Sequence, residues 1–240
     1  MKLRTTVQLT LDLIHLDDAL EAADVAIRAG VDWLEAGTPL IISEGRRGVQ
    51  ELHARYPNVP IVADLKAMDG GAGATELMVK AGASMVVVMG QAHAETVEMA
   101  VKAAHECGAK IMGDNMAMID PVAGARRLED LGCDYVIHHI GYDMRTLRRQ
   151  RRLDAPTPLD RLREIVEAVS IPVQAVGGLT IQQAINIPKF GAPLVVIGAP
   201  LVIEGHAFRA ESGDIEGMLR MICEKVHAYG DIEVSKKSVA

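Results

Sequence analysis

Ala81-Gly82-Ala83-Ser84-Met85-Val86-Val87-Val88-Met89 sets a glycine just ahead of an unbroken apolar run. A run without polar alternation suits a strand buried on both faces, the pattern of a parallel sheet covered by helices. Gly82 follows an amphipathic stretch, where a glycine takes the left-handed backbone cheaply and marks a helix stop. The same junction recurs at Ala29-Gly30-Val31, Cys107-Gly108-Ala109, Leu131-Gly132-Cys133 and Phe190-Gly191-Ala192, with successive glycines 52, 26, 24 and 59 residues apart. The unit is therefore about 25 to 30 residues, with one glycine mark missing from each long gap. Prolines fill those gaps, in Tyr56-Pro57-Asn58-Val59-Pro60 and in Ser170-Ile171-Pro172.

Eight strands follow from this reading, near 7–13, 32–37, 60–66, 84–89, 109–114, 134–140, 172–177 and 193–198. Helical patterns separate them, the first running from an Asp17 N-cap to Ala29. Eight strand–helix units in 240 residues predict an α/β fold of the (β/α)8 TIM-barrel type. One domain is expected over residues 1–230, followed by a polar C-terminal tail, 231–240, that frays. A doubly wound open sheet is the alternative, but its first strand would lead into a glycine-rich turn, and Leu11-Asp12-Leu13-Ile14 has none.

Composition excludes several functional classes. Apolar residues make up 49% and charged residues 24%, enough apolar material for a large core. The formal charge of -7 has the wrong sign for a general nucleic-acid binder, and one Trp, four Tyr and two Phe are too few for a base-stacking platform. No membrane segment is expected, because the longest apolar stretch, near 192–203, is short and broken by Pro193, Gly198 and Pro200. Cys107, Cys133 and Cys223 form no C-x-x-C pair and are odd in number, so neither a disulfide framework nor a thiolate zinc site is indicated. A cytoplasmic location is the corresponding expectation.

Active sites of such barrels lie at the C-terminal ends of the strands, so polar residues ending apolar runs carry the information. Asp12 ends the first strand, Glu35 lies in the second, Asp64 and Lys66 in the third with Asp69 just beyond, Asp114 ends the fifth and His139 the sixth. Any one of these is unremarkable alone. Together they place several carboxylates around one lysine, a charge balance that calls for a cation, and hard oxygen donors suit Mg2+. The seventh and eighth strands end instead in Val176-Gly177-Gly178 and Ile197-Gly198-Ala199, at the usual barrel site for a phosphate group. Gly177, Gly178, Gly198 and Ala199 are thus expected to contact a phosphorylated substrate, the plainer alternative being tight turns alone.

Asp64-Leu65-Lys66-Ala67-Met68-Asp69 has the form D-x-K-x-x-D and resembles the signature of the orotidine monophosphate decarboxylase suprafamily. The similarity extends from Val7-Gln8-Leu9-Thr10-Leu11-Asp12 through Glu35-Ala36-Gly37-Thr38-Pro39 and Glu44-Gly45 to His139-Ile140-Gly141-Tyr142-Asp143 and Gly177-Gly178, about residues 5–200. Within that group the chain is most similar to the 3-hexulose-6-phosphate synthases, with the 3-keto-L-gulonate-6-phosphate decarboxylases as the sister branch. Glu35 matches the Mg2+-binding glutamate of the sugar-phosphate branch rather than the lysine of the nucleotide decarboxylases, and Tyr142 matches the H-x-G-Y-D pattern of the synthases.

The resemblance implies a reversible condensation of formaldehyde with D-ribulose 5-phosphate through a Mg2+-stabilised cis-enediolate. It implies Glu35 and Asp64 as metal ligands, Lys66 as a second positive donor, Asp12 and Asp114 as substrate-orienting groups and His139 as the acid/base. Asp69 would reach the site of a neighbouring subunit, so a homodimer with shared active sites is implied. Decarboxylation of a 3-keto sugar acid 6-phosphate is one alternative and a non-catalytic sugar-phosphate-binding barrel another. The intact set of Glu35, Asp64, Lys66, Asp69 and His139 speaks against the second.

Three stretches depart from the family pattern. Gly70-Gly71-Ala72-Gly73-Ala74 replaces a stretch that commonly holds a glutamate, and it reads as a mobile turn rather than a phosphate cradle. Ala199 stands where the gulonate decarboxylases use an arginine. The insertion from Met144 to Arg163 carries Arg145, Arg148, Arg149, Arg151, Arg152, Arg161 and Arg163 and reads as a solvated face rather than a cover over a phosphorylated substrate.

Overall fold

Alternation along the first barrel strand shows how the molecule is layered. Val7, Leu9 and Leu11 pack outward into the main core beneath the helices, so the residues between them, Gln8, Thr10 and Asp12, point into the barrel. The computed structural model describes residues 1–198 and 214–234. In chain order it contains β1 (Lys2–Arg4), β2 (Thr6–Leu11), α1 (Leu16–Ala29), β3 (Trp33–Ala36), α2 (Thr38–Glu44), α3 (Arg46–Arg55), β4 (Ile61–Ala67), α4 (Gly71–Lys80) and β5 (Met85–Met89). Then come α5 (Ala94–Glu106), β6 (Lys110–Asp114), α6 (Pro121–Asp130), β7 (Tyr135–His139), α7 (Tyr142–Gln150), α8 (Leu162–Ala168), β8 (Val173–Val176), α9 (Ile181–Ile185), β9 (Leu194–Gly198), α10 (Ile215–His227) and β10 (Asp231–Glu233).

Strands β2 to β9 pair in sequence order and close into a barrel. The seam pairs β2 with β9 in parallel, from Thr6 opposite Leu194 to Thr10 opposite Gly198. The eight-stranded (β/α)8 barrel expected from the glycine junctions is therefore the fold, and all five junction glycines have positive φ, from 74° at Gly108 to 105° at Gly82. Inside the barrel, Val62, Met85, Val87, Met112, Tyr135, Ile137 and Leu194 form a second apolar cluster. The Tyr135 ring meets Trp33 edge to face at 5.8 Å between centroids. A packed interior leaves the strand ends as the place where polar groups gather.

Several elements differ from the expectation. Helix α1 begins at Leu16 with His15 at its cap position, so Asp17 is not the N-cap but lies in the first turn with Asp18, where both carboxylates complement the helix dipole. Leu16, Ala19, Ala22, Ala23 and Ala26 form its buried face. The Gly70–Ala74 stretch is not a free turn: α4 starts at Gly71, and Gly71 is buried against α5, where a Cβ would stand 2.2 Å from the Thr96 carbonyl oxygen. The first residues of the expected polar tail are ordered as well. Asp231–Glu233 pairs antiparallel with Lys2–Arg4, and Thr5 Oγ1 donates to the Val226 carbonyl at 2.8 Å, tying α10 to the start of the barrel. Among the described residues, no helix is long and apolar enough to cross a membrane.

Candidate active site

The mouth of the barrel gathers Asp12, Glu35, Asp64, Lys66, Asp114 and His139 from the ends of β2, β3, β4, β6 and β7. Strand β4 is irregular there. Its register against β5 shifts between Ala63 and Ala67, and Lys66 has φ 49°, a left-handed backbone that a non-glycine residue adopts only where its surroundings hold it. Lys66 Nζ forms an ion pair with Asp64 Oδ2 and donates to Thr38 Oγ1 at 2.9 Å. Thr38 Oγ1 in turn donates to Asp64 Oδ2 at 2.8 Å. Asp64, Lys66 and the first residue of α2 thus form one closed network.

Glu35 lies deeper. Gln8 Nε2 donates to its Oε2, and Gln8 Oε1 accepts from Gln174 Nε2 at 3.0 Å, so two buried glutamines align the carboxylate from below. Burial, then the charges of Asp64 and Asp12, push the Glu35 carboxyl well above the ordinary carboxylate range. Asp12 is also raised, first by burial and then by Asp64. It sits against Gly37, where a Cβ would lie 2.2 Å from Asp12 Oδ1. Burial pulls the Lys66 ammonium down, but Asp64 and then Glu35 and Asp114 outweigh it and the net shift is upward.

Asp114 is 1% exposed. Its Oδ1 accepts from the Met116 N–H at 2.8 Å and its Oδ2 faces His139 Nδ1 at 2.8 Å. An ionised carboxylate only accepts, so this contact puts the proton on Nδ1 and leaves Nε2 as the basic nitrogen. Both Asp114 oxygens are engaged by protein groups, so Asp114 braces His139. Asn115 Oδ1 accepts from the His139 backbone N–H at 3.2 Å and fixes the end of β7.

The remaining expected residues divide. Gly177 and Gly178 have φ 119° and 73°, and Gly177 lies so close to the Ile140 carbonyl that a Cβ would stand 2.2 Å from its oxygen. Gly198 ends β9, and among the described residues nothing lies within 4 Å of where its Cβ would stand. Ala199 lies outside the described residues. Asp69 is not brought into this mouth: it is exposed, and among the described residues it has no hydrogen-bond or ion-pair partner. Thr38, Gln8, Gln174 and Asn115 were assigned no role from sequence. For Gln8 a signal exists, since Gln8, Thr10 and Asp12 occupy alternate positions of an otherwise apolar strand. Six of the insertion's seven arginines are exposed, as a solvated face requires, and Arg145 is half-buried.

Asp12, Glu35 and Asp64 crowd round one lysine, and burial followed by their mutual repulsion raises the carboxyls of Asp12 and Glu35. Among the described residues, no three His, Cys, Asp or Glu side chains are placed to enclose a metal by themselves. The carboxylates of Glu35 and Asp64 are hard oxygen donors, of the kind a divalent ion such as Mg2+ takes one or two of beside water and substrate.

Residues 5–202 match the family described as Orotidine 5'-phosphate decarboxylase / HUMPS family. A 3-hexulose-6-phosphate synthase of Staphylococcus saprophyticus is 34% identical over 193 residues, covering 80% of this chain and 87% of that protein. Among solved structures, the 3-hexulose-6-phosphate synthase of Salmonella typhimurium superposes with a TM-score of 0.79 at 26% identity, covering 92% of this chain and all of that one. The 3-keto-L-gulonate-6-phosphate decarboxylase of Vibrio cholerae gives 0.70 at 25% identity over 93% of this chain and 99% of that one.

Proposed function

Because the chain belongs to the orotidine 5'-phosphate decarboxylase / HUMPS family, we propose that it is a Mg2+-dependent aldehyde-lyase of the 3-hexulose-6-phosphate synthase type. It condenses formaldehyde with D-ribulose 5-phosphate to D-arabino-hex-3-ulose 6-phosphate, reversibly. The observation that carries this reading is the pairing of a carboxylate-rich, lysine-bearing mouth with a histidine whose Nδ1 is occupied by Asp114. Such a mouth has both a base and a place for negative charge to develop on a sugar.

Glu35 and Asp64 are the residues that would hold Mg2+, which would supply positive charge to offset the negative charge developing on the sugar. His139 Nε2 takes the proton from C1 of ribulose 5-phosphate, and Lys66 Nζ supplies a fixed positive charge beside the resulting enediolate. C1 then bonds to the formaldehyde carbon, whose oxygen becomes an alkoxide. His139 returns its proton to that oxygen, so the protein ends as it began. Asp12 orients the sugar hydroxyls, and the backbone of Gly177, Gly178 and Gly198 borders the phosphate.

The working unit in this proposal is a homodimer in which Asp69 completes the partner's site. Asp69 supports it by being exposed and, among the described residues, without a hydrogen-bond or ion-pair partner. So do Ile42, Met68, Leu77 and Met99, large apolar side chains exposed on α2, α4, α5 and the turn after β4. A coupled assay with ribulose 5-phosphate, formaldehyde and Mg2+ tests the reaction. Hexulose phosphate formation is expected, whereas carbon dioxide release from a 3-keto sugar acid phosphate at a higher kcat/KM would replace the synthase reading with the decarboxylase one.

A further inference from the structure

Helix α7 buries none of its residues, yet the side chain at its fourth position turns inward. Arg145 Nε donates to the Ile140 carbonyl at 3.1 Å, which curls the side chain back toward the end of β7. There its guanidinium lies close against Gly178: a Cβ at Gly178 would stand 2.1 Å from Nη1 and 2.8 Å from Cζ. Any other residue at 178 would displace the arginine, and φ 73° disfavours a side chain there in any case. The Tyr142 ring, 5.8 Å from Cζ, flanks the guanidinium as well.

This cation lacks what half-buried arginines usually have. Among the described residues no carboxylate pairs with Arg145, and burial followed by the nearby charge of Arg149 disfavours its charged form. Nε is spent on Ile140, while Nη1 and Nη2 remain at the edge of the two glycines that end β8. A planar fork of N–H groups fixed beside a side-chain-free backbone is a receptor for a tetrahedral dianion.

We propose that Arg145 is the phosphate-gripping residue of the substrate site, reaching from α7 across to the Gly177-Gly178 turn. The inference rests on the sugar-phosphate reading above and adds to it a binding residue from the insertion. Among the described residues its side chain makes no hydrogen bond with Asp64, Lys66, Asp114 or His139, so the role assigned to it is binding rather than chemistry.

The test compares wild type with Arg145→Gln and Arg145→Lys, taking Arg149→Gln as the exposed-arginine control. Steady-state kinetics should show the KM for ribulose 5-phosphate raised about 10- to 100-fold in Arg145→Gln, the usual loss for a charge-assisted hydrogen bond. kcat should change less, the KM for formaldehyde should stay put, and Arg149→Gln should behave as wild type. Arg145→Lys should recover part of the loss, since it restores the charge without the fork. A second readout needs no turnover: inorganic phosphate titrated against the free protein should raise the wild-type melting temperature and fail to do so in Arg145→Gln. Were the wild type inactive toward ribulose 5-phosphate and formaldehyde, the reaction assignment would fall, and the phosphate titration would still decide the role of Arg145. Equal phosphate stabilisation in wild type and Arg145→Gln, or an unchanged sugar-phosphate KM in an active enzyme, overturns the inference.

Discussion

Glu35 shows how a single side chain can be held against its own preference for water. Its folded-state pKa is raised, so the folded protein keeps a proton that the unfolded chain has already released. Without a metal, the stability linked to Glu35 is therefore greatest at or below the ordinary carboxylate range and is lost as pH rises through the folded-state value. Glu35→Gln removes that titration while leaving an oxygen for Gln8 to donate to. At neutral pH the metal-free variant should be more stable than wild type by about 1 to 4 kcal/mol, a gap that closes on acidification. Mg2+ should raise the melting temperature of wild type and leave Glu35→Gln nearly unmoved, and the variant should lose most activity. Calorimetric scans with Mg2+ and with chelator check all three signs, and an equal Mg2+ response in both proteins would remove Glu35 from the metal site. Strand-end carboxylates such as this one were legible in the sequence because period-two alternation and an abrupt polar residue mark them. Thr38 and Arg145 were not, since each acts through a helix that follows the strand and reaches a residue on another strand or loop, 26 and 33 positions away along the chain.

At the scale of elements, local rules and packing conflict most clearly at the start of α4. Replacing a helical glycine by alanine ordinarily stabilises a protein, by about 1 kcal/mol. Gly71 is different because α4 and α5 meet there, with the Thr96 carbonyl 2.2 Å from where the new methyl would sit. Gly71→Ala should therefore cost about 1 to 3 kcal/mol as the helices part, while Gly73→Ala, with open space at its Cβ, should be neutral or slightly stabilising. Thermal melts of the two variants side by side check the contrast. The barrel strands and junction glycines were readable because each carries its signal within a few neighbouring residues. Strands β1 and β10 were not: each is three residues long, largely polar, and pairs with a segment some two hundred residues away. The helical start at Gly71 was hidden likewise, since a glycine-rich stretch reads as a turn until the neighbouring helix demands the space.

Across the whole molecule, the proposed dimer makes Asp69 the link between assembly and catalysis. Asp69 follows the D-x-K segment of β4 and is exposed, and exposed apolar side chains lie on the surrounding units. With shared sites, Asp69→Ala and Lys66→Ala should each be nearly inactive and still folded. Mixed and allowed to exchange subunits, they should recover about a quarter of wild-type activity, because half the dimers are mixed and each of those holds one complete site. Two inactive parents that exchange yet stay inactive would assign Asp69 to its own chain.

In the proposed reaction the barrel mouth removes a proton from a sugar phosphate and holds the charge that remains. The most direct measurement follows ribulose 5-phosphate in deuterated water without formaldehyde, using NMR to watch solvent deuterium enter C1. Wild type with Mg2+ should exchange the C1 proton. Chelation, His139→Ala and Lys66→Ala should each slow exchange by about 100-fold or more, the scale expected for loss of a general base or an electrostatic stabiliser. Absence of exchange in the Mg2+-loaded wild type, or exchange at the wild-type rate in His139→Ala, would contradict the account.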